Sequence, residues 1–139
     1  MKLIIDTDPG QDDAAAIMMA LGSPEIELLG ISAVSGNVPL ALTERNAQII
    51  CEMAGQTDIK VFAGADKPLD ARQVTAEHAH GKSGLDGPKL FEPSFGLQNG
   101  HVVDFIVETL MREATSTVTL CAIGPLTNIA LPIKKQPTI

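Results

Sequence analysis

The chain has 139 residues, with 17 acidic and 10 basic side chains, a formal net charge of −7 and 45% hydrophobic residues. That length suffices for one domain with a real core, and the acidic surface repels phosphate backbones, which excludes nucleic acid as a partner. No apolar run approaches the ~20 residues of a membrane span, and no basic-then-apolar leader precedes a cleavage site, so neither a membrane nor a signal peptide is expected.

The first element is the apolar run Leu3-Ile4-Ile5, a buried strand over about 3–6. A helix follows over about 12–21 and stops at Gly22-Ser23-Pro24. The segment 26–34 holds a second strand, nearly continuous in Leu28, Leu29, Ile31, Ala33 and Val34. Such strands suit a parallel sheet covered on both faces. Over 40–54, Leu42, Ile49, Ile50 and Met53 recur at helical spacing. Residues 60–63 form a short third strand.

No element is clear across 64–100, which carries Pro68, Gly81, Gly84, Gly87, Pro88, Pro93 and Gly96. A stretch this long without structure is functional or disordered in a compact domain. A helix spans 101–113, with Val102, Val103, Ile106, Leu110 and Met111 on one face. Residues 117–123 are a strong β run, and Pro125 suits the first turn of a last helix. The alternation predicts an α/β fold: a doubly wound, mainly parallel sheet of about five strands with helices on both faces. Cys51 and Cys121 fall in apolar contexts and read as buried thiols, not a disulfide.

The chemistry concentrates in Asp6-Thr7-Asp8-Pro9-Gly10-Gln11-Asp12-Asp13, between the first strand and the first helix. An open α/β sheet places its ligands at such a turn. Like charges this close raise one another's pKa, and a cation ligated by several of them removes that cost. Hard carboxylate oxygens without Cys or His favour Ca²⁺ or Mg²⁺ over Zn²⁺. Pro9-Gly10 bends the chain so that residues before and after it face one point. Asp12 and Asp13 fall in the first helical turn, where the dipole favours negative charge. One Asp there would read as a helix cap; four acids around Pro-Gly argue for more.

Asn37 ends the second strand on the same edge, as a turn residue or as a polar group for a sugar hydroxyl. His80 is flanked by glycine in a segment that could fold over the acidic turn, whereas His78 reads as solvent-exposed and His101 as the start of a helix. Asn46 and Asn128 receive structural readings only.

Asp6-Thr7-Asp8-Pro9-Gly10-x-Asp12-Asp13 closely resembles the N-terminal signature of the inosine-uridine-preferring nucleoside hydrolases. Ser35-Gly36-Asn37, His80-Gly81-Lys82-Ser83-Gly84-Leu85-Asp86-Gly87-Pro88 and Ile123-Gly124-Pro125-Leu126-Thr127-Asn128 resemble that family's later motifs in the same order. The resemblance implies Ca²⁺-dependent hydrolysis of the N-glycosidic bond of ribonucleosides, Mg²⁺ being the lesser alternative. It implies Asp8, Asp13 and the backbone carbonyl of Ile123 as metal ligands. Asp8 doubles as the base for a metal-held water, Asp12 and Asn37 hold ribose hydroxyls, His80 contacts the active site, and Asp6 supports the turn. It further implies a cytoplasmic protein and a small-molecule ribonucleoside partner.

Members of that family are roughly twice as long, so 1–139 reads as the N-terminal part of one nucleoside hydrolase-like domain, with 64–100 as its active-site loop. A His that helps the base leave and an Asp that completes the metal shell belong to the half not covered. Impaired activity is expected, together with homo-oligomerisation or association with the missing C-terminal half. Two alternatives stay open. One is a haloacid-dehalogenase-like Mg²⁺-dependent phosphotransferase, which also carries Asp-x-Asp after its first strand but wants Thr or Val where Gly10 stands. The other is a non-catalytic half-domain that needs a partner chain.

Overall fold

The computed structural model describes residues 1–87 and 89–139; Pro88, which ends the glycine-rich motif, lies outside them. In chain order the elements are β1 (Lys2–Thr7), α1 (Gln11–Gly22), β2 (Glu27–Ala33), α2 (Leu40–Met53), β3 (Val61–Ala63), α3 (Glu77–His80), α4 (Val102–Arg112), β4 (Val118–Ala122) and α5 (Thr127–Lys135). The expected strands and the helices expected over 12–21, 40–54 and 101–113 are present with ends within a residue of their expected places; α5 begins at Thr127, so Pro125 precedes the helix instead of lying in its first turn. The described sheet has four strands rather than about five. The four are those expected over 3–6, 26–34, 60–63 and 117–123, and the described residues of 64–100 add the single turn α3 and no strand.

The sheet order is β3-β2-β1-β4 and every pairing is parallel. Ile5 stands opposite Ile31 and Cys121, and Asp6 opposite Ser32 and Ala122. The chain steps from β1 to β2 to β3 in one direction, then returns past β1 to β4. Crossovers of one hand then place helices on opposite faces. Leu3, Ile5, Ile31 and Val61 pack on one face against Ile17 and Ala20 of α1 and Ala47, Ile50 and Cys51 of α2. On the other, Phe62 and Leu120 meet Val102, Phe105 and Ile106 of α4. The fold is a doubly wound α/β sheet, as expected.

Two details set the seating of α4. The Phe62 and Phe105 rings stack with centroids 4.1 Å apart, an arrangement worth about 1 kcal/mol beyond its buried area. A Cβ on Gly30 would stand 2.8 Å from the Phe105 ring, so glycine lets the helix settle onto β2. Both cysteines are free thiols; Cys51 is buried and Cys121 half-buried. Burial pushes the Cys51 thiol up to about 12. Among the described residues, no helix is long and apolar enough to cross a membrane.

The connections leaving β1 and β4 run to opposite faces, so the strand order reverses between these two neighbours. In open α/β sheets a crevice opens at that point, beyond the carboxyl ends of the strands. The turn after β1 and the turn after β4 both lie there.

Candidate active site

Asp6 is wholly buried. Its carboxylate accepts from Ser32 Oγ at 2.5 Å and from Asn128 Nδ2 at 2.9 Å. Its other oxygen, Oδ2, is buried with no hydrogen-bond partner. Burial pushes the Asp6 carboxyl up to about 6, against the Ser32 and Asn128 hydrogen bonds. Asn128 also donates to Ser32 Oγ and Ala33 O, and accepts from Ala65 N–H at 2.8 Å. One wholly buried amide thus ties β1, β2, the start of 64–100 and α5 together.

Asp13 is held twice at the start of α1. Thr7 Oγ1 donates to Oδ1 at 2.7 Å and Gly10 N–H donates to Oδ2 at 3.1 Å. The second bond joins a third-position carboxylate to the cap N–H, one half of a capping box. The helix therefore begins where the acid needs to be.

Asp8 is 6% exposed. Its Oδ2 accepts from Asn37 N–H at 2.7 Å, and its carbonyl accepts from Asn37 Nδ2 at 2.9 Å. Burial pushes the Asp8 carboxyl up to about 6; the Asn37 N–H opposes this and the neighbouring Asp13 charge adds to it. Any Cβ on Gly36 would overlap the Asp8 carboxylate. From β4, Ile123 N–H and Gly124 N–H both donate to Asp6 O, at 2.9 and 3.2 Å. A Cβ on Gly124 would stand 3.0 Å from Asp8 N and Oδ1. The Ile123–Gly124 peptide is therefore seated against Asp8.

Asn37 is half-buried, and it is not a left-handed turn residue: the one described non-glycine residue at positive φ is Ser116. Asp12 is exposed on the first turn of α1, and its side chain makes no hydrogen bond to another described residue. His80 ends α3 and reaches the acidic turn, its Nδ1 2.7 Å from Gln11 Oε1. A Cβ on Gly10 would come within 2.5 Å of that nitrogen. Glycine here permits the close approach of the ring. His78 is exposed, and His101 caps α4 by accepting from Val103 N–H at 3.2 Å.

Asp8, Asp12, Asp13, Asn37, His80 and the Ile123–Gly124 peptide thus gather around one turn. Sequence reasoning passed over two contributors, Ser32 inside an apolar strand and Gln11 as the unassigned motif position, and gave Asn46 a structural reading alone. The Asn46 amide donates to Pro9 O at 3.3 Å and to Ser83 O at 2.9 Å. The first bond reaches the acidic turn and the second the glycine-rich loop. A polar residue amid the apolar positions of α2 was the available signal.

The donor chemistry fits a hard cation in kind. Asp8 and Asp13 are adjacent buried carboxylates, and Asp8 receives one N–H, far less than a buried charge requires. In number the set is short, since Ca²⁺ takes 6–8 oxygens. Among the described residues, no three His, Cys, Asp or Glu side chains stand together to share one ion.

The inosine-uridine preferring nucleoside hydrolase family matches residues 3–139. The chain is 53% identical over its whole length to an uncharacterized protein of Schizosaccharomyces pombe, covering 45% of that protein. It is 44% identical over 99% of its length to the inosine-uridine preferring nucleoside hydrolase of Crithidia fasciculata, covering 44% of it. Among solved structures, the purine-preferring ribonucleoside hydrolase from Gardnerella vaginalis superposes with a TM-score of 0.92 at 33% identity, over 99% of this chain and 45% of that one. The chain spans a little under half the length of these relatives. With that match over nearly every residue and that shared fold, the chain belongs to the inosine-uridine preferring nucleoside hydrolase family.

Proposed function

We propose that the protein built on this chain hydrolyses the N-glycosidic bond of ribonucleosides, releasing ribose and free base. The observation that carries this reading is a buried Asp8 whose pKa is raised to about 6, seated against Asp13, Asn37 and the Ile123–Gly124 peptide. The relatives' names supply the substrate class; a choice between purine and pyrimidine is left to assay.

Cleavage passes through an oxocarbenium-like ribosyl centre and needs an activated water and a grip on the sugar. A carboxylate with pKa near neutrality is suited to take a proton from that water, and Asp8 fills this role. Asn37 fixes one Asp8 oxygen with its N–H, so the other is left for the water. Asp12, exposed beside it, and the Asn37 side chain are the groups for ribose hydroxyls. His80 closes over the turn and keeps bulk water from the sugar, which makes 64–100 the active-site loop. Asp6 supports the turn from below. Asp8, Asp13 and the Ile123 carbonyl would hold the Ca²⁺ of this reading. That ion, when bound, supplies positive charge that favours the deprotonated form of an adjacent water. The phosphotransferase alternative is not favoured, because its Thr or Val position is Gly10.

β4 is the edge of the sheet, and Leu126 and Ile133 beyond it are 63% and 52% exposed. In this reading they are covered by the part of the fold that the relatives carry beyond this span, or by a second copy. The two free thiols accord with the cytoplasm.

The test is release of base from inosine and uridine by the protein, with and without calcium. Asp8→Asn should lower turnover by about 10²–10⁴-fold. Calcium should raise the thermal midpoint, and Asp13→Ala should shrink that rise. Unchanged metal affinity in both variants would overturn the site assignment, and full turnover in Asp8→Asn the mechanism.

A further inference from the structure

Gln11 is the one residue of the acidic motif with no role so far, and it makes the only described side-chain hydrogen bonds from the turn to the loop above it. That loop, 80–86, closes on itself: Asp86 N–H donates to His80 O at 3.2 Å. It keeps its own shape, since the Ser83 hydroxyl and N–H donate to Asp86 Oδ1 at 2.5 and 3.3 Å. Gly81 and Gly84 turn the chain at φ 78° and 81°, a region that favours glycine. Asp86 therefore presents its carbonyl, and His80 its ring, side by side at the closed end.

The Gln11 amide meets both. Its Nε2 lies 3.3 Å from Asp86 O and its Oε1 lies 2.7 Å from His80 Nδ1. The assignment of roles follows from what each atom is able to do. A backbone carbonyl accepts only, so the amide nitrogen must point at Asp86. The amide oxygen is then left for His80, and it too accepts only. His80 Nδ1 must carry the hydrogen, and the neutral imidazole keeps its lone pair on Nε2.

We propose that Gln11 is a positioning residue: it clasps both ends of the 80–86 loop onto the acidic turn and fixes His80 as the Nδ1–H tautomer, with Nε2 as an acceptor. The ligand chemistry that fits is a hydroxyl or N–H donor, and in that respect only the inference rests on the reading above. An exposed imidazole without such a partner favours the Nε2–H form, so the effect of the clasp has a visible sign.

The experiment is long-range ¹H–¹⁵N correlation on the ¹⁵N-histidine-labelled protein, at a pH well above the histidine range, with His80 assigned by comparison with His80→Gln. The wild type should show His80 as Nδ1–H. Gln11→Leu, which removes the acceptor, should move it to Nε2–H. Gln11→Glu, which keeps an acceptor oxygen at the same reach, should retain Nδ1–H. Wild-type His80 as Nε2–H, no change in Gln11→Leu, or identical behaviour of the Leu and Glu variants would each overturn the proposal. No turnover enters the readout, so failure of the hydrolase reading leaves this result standing, and the reverse holds.

Discussion

Two sides of one crevice are built by different physics. Below lies the acidic turn, held by the parallel ladder of β1 and by hydrogen bonds to buried carboxylates: Ser32 and Asn128 on Asp6, Thr7 and Gly10 on Asp13, Asn37 on Asp8. Above lies the segment between β3 and α4, whose carbonyls accept from side chains of α1 and α2. Gln11 holds Asp86, Asn46 holds Ser83, Arg45 holds Phe91 and Gln48 holds Phe95. Leu85, Leu90, Phe95 and Leu97 add a modest apolar footing. Charge-assisted bonds in a dry core are strong, and leaving one unmade is costly. Side chain to carbonyl bonds near solvent contribute about 1 kcal/mol each. A rigid floor that aims the acids is thus paired with a cover able to detach piecemeal, a division suited to a site that admits and releases a ligand.

The hardest blow to that comparison falls on the floor. Asn128→Leu removes an amide nitrogen that donates to three oxygens and an amide oxygen that accepts one N–H, at a wholly buried position, and leaves the Asp6 carboxylate with Ser32 alone. Breaking such a network costs about 3 kcal/mol or more. Urea denaturation should show that loss without a change in slope. A loss below about 1 kcal/mol would mean that the floor is no stiffer than the cover.

Asn46→Leu tests the joint between the two sides. It deletes the donors to Pro9 and Ser83, but it also removes Asn46 Oδ1, which is buried without a partner. Losses and relief offset, so the expected global cost is about 1 kcal/mol. The local effect should be larger than the global one. Amides of 80–86 should exchange faster while those of β1 hold, and equal acceleration of both would show that floor and cover open as one unit.

The same division explains what was legible in the sequence. β1, β2 and β4 announce themselves as apolar β runs, α2 and α4 by helical period, and the ends of these five elements fell within a residue of their observed places. The acids of the floor were legible because one local motif carries them all. Asn46 and Asn128 were readable as structural residues, since polar side chains amid apolar helix positions must find partners. Ser32 was not, because the strand around it reads as continuous apolar sequence. The cover was legible only in outline: His80 read as folding over the turn, but its partner there did not. Gln11 and His80 are 69 residues apart, and no local period encodes a contact made by one side chain to a distant carbonyl. The stretch 64–100 looked empty of structure because its order is borrowed from α1 and α2.

The smallest effect belongs to the outermost bracket. Arg45 donates to Phe91 O at 3.2 Å and pairs with Glu92 at 2.6 Å, where the Glu92 side chain is 83% exposed. Exposed ion pairs contribute roughly 0.2–1 kcal/mol, so Arg45→Gln should leave the denaturation midpoint nearly unmoved. Hydrogen exchange is the sharper probe. In the unliganded protein, residues 66–98 should already exchange faster than 102–111 of α4, whose Val102 and Ile106 are wholly buried. The variant should quicken exchange further near 91–95 alone, since Gln48, Asn46 and Gln11 still hold their own carbonyls. If 80–86 quickened as well, the brackets would act cooperatively and the cover would open as a lid. If 66–98 exchanged more slowly than α4 in the wild type, the cover would be the stiffer side and the comparison would be reversed.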